Sequence, residues 1–82
     1  MENKKLELLN KLFSCQDGRE VINVALENAE YLNTVLKNSG EGEILPDYDL
    51  ILNELNNFSP KNEEEDWAID AIILFLQEVS KE

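Results

Sequence analysis

The chain has 82 residues, of which 18 are acidic, 7 are basic and none is histidine, so its formal net charge is −11 at pH 7. A chain of this length forms one domain with a small core, and its excess of carboxylates would repel nucleic-acid phosphates and anionic membrane surfaces. The composition therefore argues against direct binding of nucleic acid or membrane and favours a basic protein partner.

The sequence predicts a soluble, cytoplasmic protein. Cys15 is the only cysteine, which excludes an internal disulfide and fits a reducing compartment. The longest apolar stretch, residues 71–76, is far too short to span a membrane, and the charged N-terminal segment lacks the pattern of a signal peptide.

Hydrophobic residues recur at helical spacing in four segments. The first predicted helix covers about residues 4–16. Its apolar side chains form two adjacent stripes, Leu6, Leu9 and Phe13 on one and Leu8, Leu12 and Cys15 on the other. The second predicted helix covers about residues 18–38; Asp17 and Glu20 have capping-box spacing at its start, and Gly40 follows its end.

A loop and a shorter helix follow. Residues 40–46 are predicted to form the loop, with Ile44 and Leu45 pointing inward. The third predicted helix covers about residues 47–57 and directs most of its apolar side chains to the core. Leu50 points away from that apolar side, so we expect it to be exposed.

The fourth predicted helix covers about residues 60–80, with Ser59 as its cap and Pro60 at its first helical position. After Trp67 its side chains are apolar around most of the circumference, which indicates either the centre of the domain or a dimer interface. No segment alternates with the period of a strand. Because short connections favour antiparallel neighbours, the sequence predicts one all-α domain, residues 1–82, folded as a small antiparallel four-helix bundle.

Nothing in the sequence predicts catalysis, a cofactor or a metal site. Without histidine the usual general base and nucleophile pairs are missing, and Cys15 suits a small buried hydrophobe. Asp47 and Asp49 have calcium-loop spacing, but Leu52 occupies the glycine position and Phe58 the glutamate position. No serine follows an aspartate, as the attachment motif of acyl and peptidyl carrier proteins requires.

The negative charge is concentrated in residues 20–66, which contain twelve acidic residues and two lysines. Tyr31 and Tyr48 lie among these carboxylates, and tyrosines ringed by acids suit a basic protein surface. The competing interpretations are that the tyrosines belong to the core and that the acidic surface serves only solubility. The predicted partner-binding residues are Glu27, Glu30, Tyr31, Glu41, Glu43, Asp47, Tyr48, Asp49, Leu50 and Glu54.

In size, charge and helicity the chain resembles the small acidic helical immunity proteins that neutralise nuclease bacteriocins, and also phage-encoded anti-defence inhibitors. The immunity proteins carry paired tyrosines before a proline, whereas here Pro46 precedes the single Tyr48. The resemblance implies a non-enzymatic inhibitor of the immunity, antitoxin or anti-defence type. Such a protein would block a nuclease or nucleic-acid-binding site by placing carboxylates where phosphates would lie.

A second hypothesis is a homo-oligomeric adaptor or structural module, and a homodimer is its simplest form. The wide apolar circumference of the fourth predicted helix and the exposed Leu50 motivate it. Association through an apolar face would depend little on salt, whereas capture by the acidic face would weaken strongly as salt rises.

Overall fold

A computed structural model describes residues 3–37 and 42–80 of the chain. Five α-helices lie within these two ranges: α1 (Asn3–Phe13), α2 (Gly18–Glu27), α3 (Ala29–Leu36), α4 (Asp49–Asn56) and α5 (Glu63–Ser80). A 3₁₀ turn, Pro46–Tyr48, leads directly into α4. The described residues contain no strand, so the prediction of an all-α fold is confirmed, while the predicted four-helix bundle is not. None of the five helices is long and apolar enough to cross a membrane.

The core is built around α2, which packs against each of the other four helices. The longest helix, α5, packs against α2 and α3 and buries most of its apolar circumference there. The fully or nearly fully buried apolar residues are Leu8, Leu12, Val21, Ile22, Ala25, Leu32, Ile51, Leu55, Ala68, Ala71, Ile72, Phe75, Leu76 and Val79.

The predicted second helix is interrupted at Asn28, so one expected helix becomes α2 and α3. Asn28 has φ −115° and ψ 27°, outside the helical range. Its side-chain amide donates a 2.8 Å hydrogen bond to the Val24 carbonyl, which the Asn28 backbone N–H also contacts at 3.1 Å. Asparagine competes with the helix in this way for its own backbone groups, and burial of Asn28 fixes the break. The predicted end at residue 38 lies outside the described residues.

The predicted start of the fourth helix at Pro60 is wrong, because Asn62 caps α5. The Asn62 side chain accepts a 2.9 Å hydrogen bond from the Glu65 N–H, and Glu65 in turn accepts a 2.8 Å bond from the Lys61 N–H. The Asp17 side chain likewise accepts from the Glu20 N–H at 3.0 Å, as the capping-box spacing predicts. Both helix starts therefore satisfy amides with a short polar side chain and a glutamate three residues later.

Of the two predicted apolar stripes of α1, the one that contains Leu8 and Leu12 faces the core. Leu8 and Leu12 are each only 1% exposed, whereas Leu6 and Phe13 are 56% and 52% exposed. Neighbouring residues of an α-helix are rotated by about 100° about its axis, so the two stripes lie side by side. Periodicity alone therefore does not show which stripe faces the core. Leu45 is also exposed, contrary to its predicted inward orientation, and its N–H donates to the Ser80 hydroxyl at 3.0 Å.

Candidate functional site

The predicted partner-binding residues fall into two groups near opposite ends of α1. Tyr31 shares a groove with Lys5, near the start of α1, whereas Tyr48 stacks on Phe13, its last residue. The eight helical steps from Lys5 to Phe13 correspond to about 12 Å along the axis. Glu41 lies outside the described residues, and Glu43 is exposed in the loop before the 3₁₀ turn.

The first group surrounds the break at Asn28. Glu27 and Glu30 are exposed, and they share an open cleft with Lys4 and Tyr31. Tyr31 is only half-buried, but its ring also meets Phe75 edge-on, with centroids 6.4 Å apart. The Tyr31 ring thus contributes to core packing. The Glu27 and Glu30 carboxylates lie in the same cleft as Lys4.

The second group is centred on two stacked rings. The centroids of Phe13 and Tyr48 are 5.6 Å apart and the ring planes are inclined by 24°. The 3₁₀ turn positions Tyr48, whose N–H donates to the Leu45 carbonyl at 3.0 Å. Phe13 is 52% exposed, whereas Tyr48 is half-buried and also packs against the core, so the stack presents mainly the Phe13 ring to solvent.

Beside the stack, an apolar groove separates the end of α1 from α4. Its floor is formed by Leu12, Val21 and Ile51, each at most 3% exposed. Phe13 and Leu50 line it from the two helices, and Leu50 is 78% exposed as the sequence predicts. Cys15 and Glu54, both half-buried, complete the lining of a groove of about 160 Å³.

Cys15 contributes packing to this groove rather than reactivity. Burial raises the pKa of the Cys15 thiol, and the nearby Glu20 and Asp17 carboxylates raise it further. The thiol donates to the Lys11 carbonyl at 3.2 Å. A protonated thiol is a poor nucleophile, so the side chain suits the small apolar role predicted for it.

The chain segment that carries Tyr48 and Leu50 is acidic. Residues 42–60 contain four acidic residues and no lysine or arginine. Asp47 and Asp49 flank Tyr48 in the chain and are exposed, whereas Glu54 lines the groove. We call this surface the α4 patch, defined by Phe13, Asp47, Tyr48, Asp49, Leu50 and Glu54.

The sequence predicts a binding role for five of these six residues but not for Phe13, which it places only on an apolar stripe of the first helix. Phe13 is the last residue of α1, but the sequence predicts that this helix continues to residue 16, so no local signal distinguished Phe13. No protein-family model, curated protein or solved structure matches this chain. Within residues 3–37 and 42–80, no cluster of acidic or cysteine side chains has the arrangement of a metal site.

Proposed function

We propose that this protein is a non-enzymatic binding domain that inhibits or sequesters a basic protein partner. The observation that carries the proposal is the exposed Phe13 ring, stacked on the half-buried Tyr48 beside the exposed Leu50. Residues 42–60, which include Tyr48 and Leu50, contain four acidic residues and no lysine or arginine. Apolar side chains exposed together and rimmed by charge are typical of protein-binding surfaces.

The two kinds of side chain have separate tasks in this proposal. The aromatic rings and Leu50 supply apolar area that is removed from water on binding, and aromatic anchors dominate the energy of many interfaces. The carboxylates accelerate encounter with a positively charged surface and repel acidic ones. The net charge of −11 extends this steering beyond the α4 patch.

The proposed target surface is one that binds nucleic acid or cleaves it. Such surfaces present lysine and arginine to phosphates, and Asp47 and Asp49 offer the same partners a carboxylate. Occupying that surface would exclude the nucleic acid by competition. This is the mode of action expected of an immunity protein, an antitoxin or an anti-defence inhibitor.

Two neutralised variants with the same net charge test the proposal. Asp47→Asn with Asp49→Asn alters the α4 patch, whereas Glu27→Gln with Glu30→Gln alters the cleft near Asn28, and each changes the net charge from −11 to −9. The wild type is used to capture proteins from a native lysate at 50 mM and 300 mM salt, values chosen about sixfold apart to expose screening. The captured protein is identified by mass, and its binding to each variant is measured.

The expected partner is a basic nuclease or nucleic-acid-binding protein whose activity the wild type blocks. Association should slow about three- to tenfold for the patch variant and less for the cleft variant, because rim charges act mainly on the association rate. Equal binding by the wild type and the patch variant would refute the proposal. So would a captured partner that still binds nucleic acid normally in the complex.

The alternative of a homo-oligomer assembled through α5 has weaker support. It was motivated by the wide apolar circumference of the fourth predicted helix and by Leu50, which is exposed. On α5, however, Ile72, Phe75 and Leu76 are fully buried against neighbouring helices. The large apolar side chains exposed in residues 3–37 and 42–80 lie on α1, in the loop and on α4 instead. Light scattering across a concentration series would reveal such an assembly as a rising mass.

A further inference from the structure

The geometry points to a specific occupant for the groove between α1 and α4: one large apolar side chain from a basic amphipathic helix of the partner protein. This inference rests on the proposed function and adds the shape and chemistry of the recognised segment. Lysine or arginine side chains one helical turn from the apolar anchor would lie near Asp49 and Glu54 on α4.

The size of the groove sets the size of the anchor. A volume of about 160 Å³ is close to the roughly 150 Å³ that holds a benzene-sized group in an apolar protein cavity. The floor of the groove is formed by Leu12, Val21 and Ile51 and has no polar side chain. A leucine, phenylalanine or methionine side chain placed on this floor would therefore not deprive a polar side chain of the floor of its hydrogen bonds to water.

A helical occupant fits the elements on either side. The groove lies between two helices, and an amphipathic helix laid in a hydrophobic groove is an established recognition mode read by anchors at i, i+3 and i+4. A peptide that binds by strand addition would need an exposed strand edge, and the described residues provide no strand.

Charge selects a basic partner over a second copy of this chain. Glu54 lines the groove. Asp47 lies in the 3₁₀ turn before α4, and Asp49 is the first residue of α4. Two copies joined at the α4 patch would bring these carboxylates together, and each copy carries a net charge of −11. A helix with lysines and arginines beside its anchor would instead pair with the same groups.

The test is selection of a random 16-residue peptide library displayed on phage, with immobilised wild-type protein as the target and about 50 mM salt to limit screening. Selected peptides are synthesised and their dissociation constants measured. Leu50→Ser removes one wall of the groove, and Leu6→Ser is the matched control because Leu6 is 56% exposed on α1 but does not line the groove. Both positions are exposed, so circular dichroism should report unchanged helicity.

The expected peptides carry one large apolar residue with lysine or arginine one turn away, and become helical on binding. Leu50→Ser should weaken them about tenfold, and Leu6→Ser less than about twofold, as expected from the loss of one buried aliphatic contact. The inference is overturned by an absence of enriched peptides, by enrichment of proline-rich or acidic sequences, or by equal effects of the two substitutions. If the lysate partner associates more slowly with the Asp47→Asn and Asp49→Asn variant but binds Leu50→Ser as it binds the wild type, the acidic-face proposal stands and the groove inference fails.

Discussion

The Arg19 guanidinium donates a 2.8 Å hydrogen bond to a Glu65 carboxylate oxygen and thereby joins the first turns of α2 and α5. The same guanidinium lies 5.0 Å from the centre of the Phe58 ring. Glu65 is only 7% exposed and also accepts the Lys61 N–H, so its charge is matched on two sides. This acidic residue therefore stabilises the fold, whereas Asp47 and Asp49 remain exposed.

Glu65 should make stability sensitive to acid. The Lys61 backbone N–H, followed by the Arg19 guanidinium, holds the pKa of Glu65 below its ordinary value of 4.5. The lowered pKa means that the folded state favours the charged Glu65 carboxylate more than the unfolded state does. The resulting stabilisation of the fold is complete above pH 4.5 and is lost as pH falls through the lowered pKa. Urea unfolding should show Glu65→Gln less stable than wild type at pH 7, with the difference shrinking below pH 4.5.

Glu64→Gln is the matched control for that experiment. It removes the same charge from the same helical turn, so it shares the loss of interaction with the helix dipole, but Glu64 is exposed. Comparing the two variants isolates the Arg19 and Lys61 contacts. Equal unfolding free energies for both variants across the pH range would show that these contacts do not stabilise the fold.

Gly18 is required by a close approach between α2 and α4, and its φ is not positive. A Cβ atom at position 18 would lie 2.6 Å from the Glu54 carbonyl oxygen and 3.0 Å from the Phe58 Cβ. Gly18→Ala should therefore lower the unfolding free energy by about 1–3 kcal/mol, despite alanine's better helix propensity. Asn23→Ala, at an exposed position of α2, is the control and should not destabilise. A Gly18→Ala protein as stable as wild type would contradict the close approach.

The break at Asn28 predicts a difference between two substitutions. Asn28→Asp replaces the amide donor that faces the Val24 carbonyl with a carboxylate, and should lower the unfolding free energy by about 1–3 kcal/mol at pH 7. Asn28→Ala loses the same hydrogen bond but buries no carboxylate, so its cost should be smaller. Lowering the pH should partly restore Asn28→Asp, since a protonated carboxyl can donate to the same carbonyl. Denaturation curves at pH 7 and pH 4 would measure all three effects, and a pH-independent deficit would count against the hydrogen bond.

Periodicity was sufficient to predict helices but not their faces or their breaks. The chain has no proline or glycine near Asn28, so nothing local marks the break between α2 and α3. The Asn28 side chain that bonds to the Val24 carbonyl is also buried, and its burial depends on tertiary packing. Likewise, two apolar stripes on α1 satisfied the same pattern, and contact with α2 selected the one containing Leu8 and Leu12.

The candidate site was predictable where exposure could be read from one helix. Leu50 points away from its neighbours in α4, and its 78% exposure confirms that expectation. The role of Phe13 depends on Tyr48, which is 35 positions away in sequence and meets it only in the folded chain. The contact between Arg19 and Glu65 was unpredictable for the same reason, since it joins residues 46 positions apart.

The Phe13–Tyr48 stack should contribute a measurable coupling energy to folding. In a double-mutant cycle, Phe13→Ala and Tyr48→Ala are made singly and together. The sum of the two single-variant losses of unfolding free energy should exceed the loss in the double variant by about 0.5–1.5 kcal/mol. Tyr48→Phe should retain this coupling, because the rings lie 5.6 Å apart and nearly parallel and the stack does not require the hydroxyl. Additive losses would mean that the rings do not stabilise each other, and the α4 patch would then lose the rigid aromatic surface on which the proposed binding depends.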